Sequence, residues 1–162
     1  MPRTTFTTPL GVCAIAWNEA GLLTHFDLPG ATARADDLTA PPPAEIAAII
    51  GRVRRHLAGE VQDFSDVGYD FSAVPAFNQR VLRATLDVKA GYTSTYGRIA
   101  AAINEPSVAS RGVGAALGAN RWPLLIPCHR ITGADGKMTG FSGPGGVATK
   151  VKLLALEGAQ LL

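Results

Sequence analysis

The distribution of apolar, β-branched and turn residues at the start of the chain predicts strands followed by one helix. Apolar and β-branched residues separated by turn residues predict three strands, at residues 4–8, 12–17 and 22–28. The next stretch, residues 29–43, is rich in proline, glycine and aspartate and predicts a loop. Apolar positions at helical spacing from Ile46 to Leu57, with Gly59 as a stop, predict a helix.

The pattern becomes helical in the second half of the chain. Residues 61–74 predict a short strand and a linker, and the next apolar helical face, which ends before Gly91, consists of Phe77, Val81, Ala84 and Val88. We therefore predict a fold of the α/β (α+β) class with a boundary near residue 73. Residues 1–73 would form a small sheet-and-helix domain, and residues 74–162 a mostly helical domain.

Two short helices predicted next admit two interpretations. Ser94 can cap a helix from Thr95 to Ile103, and Ser107 can cap another that runs to Gly118. Two helices joined by a tight turn are typical of a DNA-binding helix-turn-helix, but also of an ordinary helical hairpin. The second helix contains the small residues Gly112, Gly114, Ala115 and Ala116, although each glycine costs about 1 kcal/mol of helix propensity. Small side chains suit either the narrow minor groove of DNA or close helix packing.

The composition is that of a globular protein with an uneven charge distribution. Of the 162 residues 47% are hydrophobic and 17% charged, which argues against a disordered chain. No apolar run approaches the roughly 20 residues of a membrane span, and no signal segment is visible. Residues 1–74 carry a net charge of −4 and residues 75–162 carry +6. A basic half indicates a polyanionic partner, and two cysteines predict a cytoplasmic protein without a disulfide framework.

The candidate chemistry is concentrated at residues 127–130, Pro-Cys-His-Arg. The apolar run before them predicts a short buried strand that ends at Cys128. A thiolate is the reactive form of cysteine, and the imidazole of His129 can take its proton. On these two residues alone, however, Cys128 could equally be an inert buried thiol.

A third group should orient the imidazole, and Glu157 is available at the end of a last helix predicted from Val147. A carboxylate in the last turn opposes the helix dipole. Either a histidine or the guanidinium of Arg130 compensates it, or Glu157 faces solvent at a frayed end.

Residues 120–131, Asn-Arg-Trp-Pro-Leu-Leu-Ile-Pro-Cys-His-Arg-Ile, and the Leu-Glu-Gly at residues 156–158 resemble the active-site region of the methylated-DNA–protein-cysteine alkyltransferases. The resemblance extends from Phe77 to Gly158. It implies a ribonuclease-H-like N-terminal domain and a winged helix-turn-helix domain that carries the cysteine. It also implies repair of O6-alkylguanine, chiefly O6-methylguanine, by flipping the base out of duplex DNA and transferring the alkyl group irreversibly to the protein, once per molecule.

The resemblance implies a role for each residue of the reacting set. Cys128 would be the nucleophile and alkyl acceptor, and His129 would take the thiol proton through a water. Glu157 would hold His129. Tyr96 would polarise the guanine near N3 and contact the phosphate of the flipped nucleotide.

The resemblance also implies the DNA-binding residues. Arg111 would fill the gap left by the flipped base, and Asn120 would tie the helix-turn-helix to the active-site strand. The predicted DNA contacts are Arg111, Tyr96, Gly114, Ala115, Asn120 and Arg130. The predicted base pocket consists of Phe141, Ser142, Gly143 and Asn120. The partner would be double-stranded DNA bound through its minor groove by a monomer, without a cofactor.

Departures from the family pattern leave other interpretations open. The extra residues Pro144–Gly146 could reshape the base pocket.

Cys13, His25 and His56 lack metal-ligand spacing, so we expect no zinc. The alternatives are a non-repairing binder of alkylated bases and a DNA-binding regulator. A thiol hydrolase is a third, but the sequence shows no oxyanion hole for it.

Overall fold

The computed structural model describes residues 1–135 and 146–159. Its N-terminal part is a four-stranded sheet of β1 (Pro2–Thr8), β2 (Gly11–Trp17), β3 (Leu23–Asp27) and β4 (Leu38–Thr39), in the order β3-β2-β1-β4. The three predicted strands are confirmed. The stretch predicted as a loop contains β4, because Leu38 and Thr39 pair in parallel with the start of β1.

The predicted first helix is confirmed as α1 (Ala44–Leu57), which contacts β1 of the sheet. Its buried face includes Ile46, Ile50 and Val53 at helical spacing. His56 lies on the same face and is 1% exposed. A polar ring in a buried helical stripe requires hydrogen-bond partners.

The segment after α1 holds the two parts of the chain together without forming the predicted strand. Tyr69 makes only an isolated bridge to Leu23. The rings of Tyr69 and Phe71 instead pack edge-on against Trp122, at centroid distances of 5.5 and 5.3 Å. Apolar side chains of both parts belong to one buried cluster, and the division between residues 73 and 74 stays a prediction.

The second part is mostly helical, as predicted. Its elements are α2 (Ala76–Leu86), β5 (Ser94–Thr95), α3 (Tyr96–Ala102), α4 (Ser110–Gly118), β6 (Ile131–Thr132) and α5 (Gly146–Leu156). Helices α2 and α3 both pack on α4, which places α3 and α4 as the two neighbouring helices of the predicted pair. None of the helices in the described part of the chain is long and apolar enough to cross a membrane.

Two predicted helix caps are wrong. Ser94 belongs to β5, and the hydroxyl of Thr95 caps α3 by accepting a hydrogen bond from the backbone of Arg98 at 3.1 Å. Ser107 begins a short 3-10 turn before α4, and its carbonyl accepts a hydrogen bond from Ser110 at 2.7 Å. At α3 a neighbouring hydroxyl residue of similar capping propensity takes the cap. At α4 the N-cap position is Ala109, which makes no side-chain capping hydrogen bond.

Candidate active site

The reactive motif lies on a tight turn rather than at the end of a strand. Leu124 is buried and has a φ of 78°, a left-handed conformation that interrupts extended backbone. Residues Cys128–Arg130 form a 3-10 turn, in which Arg130 N donates to the carbonyl of Pro127 at 2.9 Å. The prediction of a short buried strand that ends at Cys128 is therefore wrong. The turn directs His129 and Arg130 to the same carboxylate, Glu157, whereas the Cys128 thiol contacts the side chain of Asn120.

A two-stranded sheet brings Tyr96 to the motif. Strand β6 directly follows the 3-10 turn and pairs in parallel with β5, with Thr95 opposite Thr132. Tyr96 is the next residue and begins α3. The pairing therefore holds the start of α3, where Tyr96 lies, next to the strand that directly follows Cys128–Arg130, although the two stretches are more than 30 residues apart in sequence.

The carboxylate of Glu157 is the centre of the buried polar cluster. Arg130 grips it with two nitrogens, Nε to Oε1 at 2.9 Å and Nη2 to Oε2 at 2.8 Å. Nε2 of His129 lies 2.9 Å from Oε1 and 3.0 Å from Oε2. Nε2 of His56, from α1, lies 2.8 Å from Oε2. The interpretation of Glu157 as a frayed, solvent-facing residue is wrong, because Arg130 and two histidines compensate it in the interior.

These donors decide the charge of Glu157. Burial by itself raises the pKa of this carboxyl, but the hydrogen bonds from His129, His56 and Arg130 outweigh that effect and hold the pKa well below its usual range. The guanidinium makes a bidentate, charge-assisted pair with the carboxylate, the geometry best suited to a buried anion. Glu157 is therefore a permanent negative charge at neutral pH.

His129 is held as a neutral base with one free nitrogen. Since Nε2 faces a carboxylate, it carries the ring proton, and Nδ1 is left with its lone pair. Nδ1 is buried and has no hydrogen-bond partner among the described residues. Burial lowers the pKa of His129, against the opposing effect of Glu157. The ring is thus uncharged at neutral pH and able to accept a proton at Nδ1.

Cys128 is a buried thiol, 7% exposed, with two groups that favour its ionised form. Burial raises the pKa of the thiol. A hydrogen bond from the Asn120 side chain and the charge of Lys150 act in the opposite direction. Because burial dominates, the thiol rests in its protonated form and needs a base to become the nucleophilic thiolate.

Asn120 connects the end of α4 to the motif, as predicted, although to a turn instead of a strand. Its Nδ2 donates to the carbonyl of Ile126 at 3.0 Å, and its Oδ1 accepts from the backbone of Trp122 at 2.9 Å. Asn120 thus fixes the turn on which Cys128 lies and also contacts the thiol.

Arg130 is buried, whereas a contact with DNA requires an exposed side chain. Its side chain is 7% exposed, and its third nitrogen, Nη1, donates to the carbonyl of Val88 at 2.6 Å. Every arm of the guanidinium is committed inside the protein, so a phosphate on the surface cannot reach it. The prediction of Arg130 as a DNA-binding residue is corrected to a structural partner of Glu157.

Helix α4 has one buried and one exposed face. Val113, Ala116 and Leu117 are buried against the other helices, whereas Arg111, Ala115 and Gly118 are exposed. Close packing accounts for Gly112, since a Cβ there would lie 3.3 Å from the ring of Phe77. It does not account for Gly114, where a Cβ would have 4.0 Å to the nearest atom, nor for Gly118, which has open space. The exposed face therefore carries small residues and one arginine without a packing reason.

Three predicted pocket residues, Phe141, Ser142 and Gly143, lie outside the described residues, as do Pro144 and Gly145. Among residues 1–135 and 146–159, no group of three or more acidic, histidine or cysteine side chains is arranged to hold a metal ion. The absence of zinc stays a prediction.

Comparison with known proteins decides the family. Residues 76–159 match the family model described as "6-O-methylguanine DNA methyltransferase, DNA binding domain". A methylated-DNA–protein-cysteine methyltransferase from Mycobacterium bovis is 40% identical over 117 residues, 72% of this chain and 68% of the relative. This chain belongs to the methylated-DNA–protein-cysteine methyltransferase family. The predicted resemblance, the enzyme class and the association with DNA repair are thereby confirmed.

Two further members of the family extend the match to nearly the whole chain. A methylated-DNA–protein-cysteine methyltransferase from Methanothermobacter thermautotrophicus is 32% identical over 153 residues, 94% of this chain and 83% of the relative. The crystal structure of Mycobacterium tuberculosis OGT in complex with DNA matches with a TM-score of 0.84 and 34% identity, covering 98% of this chain and 93% of the other. The structural match confirms the predicted fold class.

Two residues of the site in this methyltransferase family member were missed by the sequence analysis, His56 and Lys150. Lys150 is 1% exposed and donates from Nζ to the carbonyl of Ile131 at 2.7 Å. Each lies on a buried helical stripe, His56 three residues after Val53 and Lys150 three before Leu153. A polar residue in register with an apolar stripe is the signal that could have identified both.

Proposed function

We propose that this protein repairs O6-alkylguanine, chiefly O6-methylguanine, in double-stranded DNA by transferring the alkyl group irreversibly to its own Cys128. The names of its relatives support methyl transfer from DNA to a protein cysteine. The observation that carries the assignment to Cys128 is the buried array in which Glu157 holds Nε2 of His129 and leaves Nδ1 unpartnered. That array supplies a base next to the one cysteine of the motif.

The proposed reaction balances within this set of groups. The thiol proton of Cys128 passes through a water to Nδ1 of His129. The bond from sulfur to the alkyl carbon forms as the bond from that carbon to O6 breaks, and the electron pair stays with the guanine. The guanine takes up one proton, equivalent to the thiol proton that His129 received and then releases. In this proposal Tyr96 polarises the guanine ring near N3 as it leaves. The product is an unmodified guanine and an S-alkylcysteine.

The thioether limits the protein to one reaction. A neutral thioether does not release its alkyl group to water or to another thiol under mild conditions, so the S-alkyl bond at Cys128 is stable. Each chain therefore repairs one base and is consumed. In the assay, product should equal the amount of protein instead of growing with time.

Access to the base requires flipping, which costs a few kcal/mol that protein–DNA contacts must offset. The exposed face of α4, with Arg111, Gly114, Ala115 and Gly118, supports binding through the minor groove. Its small residues allow the helix to approach a narrow groove, and the Arg111 side chain can enter the stack where the base has left. The solved complex of the Mycobacterium tuberculosis relative with DNA supports DNA as the partner.

The remaining parts of the proposal follow the family resemblance. Phe141, Ser142 and Gly143, with Asn120, would line the base pocket. Residues 1–73 and 74–162 would be the two domains. The protein would act as a monomer in the cytoplasm, where the thiol of Cys128 stays reduced.

The test is intact mass spectrometry after mixing the protein with a duplex that contains one O6-methylguanine. We expect a gain of one methylene on the peptide that contains Cys128, in an amount equal to the lesion supplied. The matched controls are the same duplex with guanine and the Cys128→Ala variant, neither of which should gain mass.

Each other outcome has a distinct meaning. Lesion-selective binding by the native protein without a mass gain would replace the proposed repair with a role as a non-repairing lesion binder. A mass gain in Cys128→Ala would place the acceptor at another residue. Neither gain nor selective binding would contradict the assignment of O6-alkylguanine as the substrate.

A further inference from the structure

His56 is the contribution of the N-terminal part to the polar cluster. It lies near the end of α1, 101 residues before Glu157, and its Nε2 is 2.8 Å from Oε2 of that carboxylate. The side chains of His56 and Glu157 are each 1% exposed, so water does not compete for this contact. A buried hydrogen bond therefore connects α1 of the N-terminal part to the carboxylate that also contacts His129.

The surroundings of His56 fix which ring nitrogen carries the proton. The backbone N–H of Gln62 donates to Nδ1 at 2.9 Å, so Nδ1 must be an acceptor. The proton is then on Nε2, which donates to Glu157. The ring of Phe64 packs on the imidazole at a centroid distance of 5.6 Å and holds its orientation. His56 is thus a neutral donor of fixed direction.

We propose that His56 is a positioning residue for alkyl transfer, whose Nε2–H holds the Glu157 carboxylate in the orientation that orients His129. The inference rests on the proposed function and deepens it. It makes the N-terminal part a component of the reacting site, although Cys128, His129 and Glu157 all belong to the other part.

The pattern of donors explains why a second histidine matters. Oε1 receives His129 and Arg130 Nε, and Oε2 receives Arg130 Nη2 and His56. Without His56, Oε2 loses the donor that comes from α1, and the carboxylate can shift relative to the guanidinium of Arg130. Because His129 is hydrogen-bonded to Glu157, its ring should move with the carboxylate, and the distance from His129 Nδ1 to the Cys128 thiol should change. Displacements of 1 Å at a reacting centre can cost about 100-fold in rate.

The kinetic test compares two substitutions at His56. His56→Met has similar volume and no donor, whereas His56→Gln places an amide N–H near the former Nε2. Single-turnover transfer from the O6-methylguanine duplex gives a limiting rate constant and a DNA concentration for half-maximal rate. We expect His56→Met to lower the limiting rate constant about 10-fold with the half-maximal concentration unchanged. His56→Gln should recover most of the lost rate.

A matched control removes a different buried hydrogen bond between the same two parts. Trp122 Nε1 donates to the carbonyl of Leu23 at 3.0 Å and does not touch Glu157. Trp122→Phe should lower the thermal unfolding midpoint at least as much as His56→Met but leave the limiting rate constant within about twofold. The bond that it removes does not involve Glu157, and the backbone of residue 122 keeps its hydrogen bond to Asn120.

A second readout does not need DNA. The Nε2–H proton of His129, buried against a carboxylate, should give a distinct downfield resonance in the NMR spectrum. Its shift should change in His56→Met, return in His56→Gln and stay fixed in Trp122→Phe. If this holds while the native protein transfers no methyl group, the positioning role stands and the proposed function fails.

Two results would overturn the role of His56. One is a limiting rate constant that falls equally in His56→Met, His56→Gln and Trp122→Phe, in step with their unfolding midpoints. The other is a His129 resonance that does not move in His56→Met. Either would reduce His56 to a packing residue of the interface.

Discussion

The buried cluster around Glu157 and the exposed face of α4 use arginine in opposite ways. Arg130 is enclosed, with its guanidinium divided between Glu157 and the carbonyl of Val88. Arg111, nineteen residues earlier, is exposed and makes no ion pair with any residue in the described part of the chain. The charge of Arg130 is therefore paired inside the molecule, whereas the charge of Arg111 faces solvent, where a partner can contact it.

The contrast predicts that this chain separates the proposed chemistry from the proposed DNA binding. Around Glu157, charges are neutralised among themselves, so the geometry of His129 is held by strong hydrogen bonds and does not respond to salt. On α4, the charge and the small residues face solvent, where a polyanion can approach. Substitutions in the first region should therefore affect the rate of transfer and the stability, and substitutions in the second should affect contact with DNA.

The largest effect should come from Glu157→Gln. The amide cannot stabilise the imidazolium that forms at His129, and general base catalysis contributes about 100- to 10,000-fold. We expect the limiting rate of methyl transfer to fall on the order of 100-fold, measured under single-turnover conditions. Binding to the lesion should persist, because the α4 face is unchanged. A variant that transfers at the native rate would contradict a role for Glu157 in the reaction.

The two arginines should differ strongly in stability. Arg130→Met leaves Glu157 as a buried carboxylate without its main cation, and breaking a buried pair costs about 3–5 kcal/mol. Arg111→Met, an exposed surface change, should stay within about 0.5 kcal/mol. Urea unfolding of both variants measures the difference directly. Equal free energies of unfolding for the two variants would contradict the claim that Arg130 stabilises the fold and Arg111 does not.

Acid should weaken the buried cluster through Glu157. Its folded-state pKa lies below the unfolded value of 4.5, so the ionised carboxylate stabilises the fold fully above about pH 4.5. This contribution is lost as the pH falls below 4.5 towards the folded-state pKa. The difference in free energy of unfolding between the native protein and Glu157→Gln should therefore shrink between pH 5 and pH 3. A constant difference would mean that folding does not shift the pKa of Glu157.

The smallest effect should come from the exposed face. Arg111→Ala should reduce methyl transfer more than binding to an undamaged duplex, because the side chain is proposed to replace a flipped base. For this variant, the slope of the logarithm of the DNA-binding constant against the logarithm of salt concentration should become shallower by about 1 or less. Arg55→Ala, an exposed arginine on α1, is the matched control and should change neither quantity. Equal losses of transfer and binding would make Arg111 a phosphate contact only.

The parts of the fold with strong local patterns could be predicted from the sequence. Apolar and β-branched runs bounded by turn residues predicted β1 to β3, and apolar residues at helical spacing predicted α1 and α2. Strand β4 and the pairing of β5 with β6 depend on partners distant in sequence, which a local pattern does not contain. The turn at Leu124 was missed because its apolar residues resemble a strand and only its backbone conformation differs.

The candidate site divides in the same way. The cysteine, the histidine and the carboxylate could be identified from motif and spacing. The sequence could not decide whether Arg130 would face DNA or Glu157, because an arginine is suited to both and tertiary packing selects the partner. His56 comes from the other part of the chain, so its contact with Glu157 depends on how the two parts pack.

The pH dependence of the single-turnover transfer rate tests most directly whether a carboxylate-held imidazole activates Cys128. Burial lowers the pKa of His129 and raises that of Cys128, so His129 is neutral and the thiol protonated across the neutral range. We predict a rate that falls only below the usual imidazole pKa of about 6.5 and is flat from there to about pH 8.5. A rate that instead rises tenfold per pH unit through the ordinary thiol range would contradict this mechanism, because it would show attack by a thiolate formed without the base.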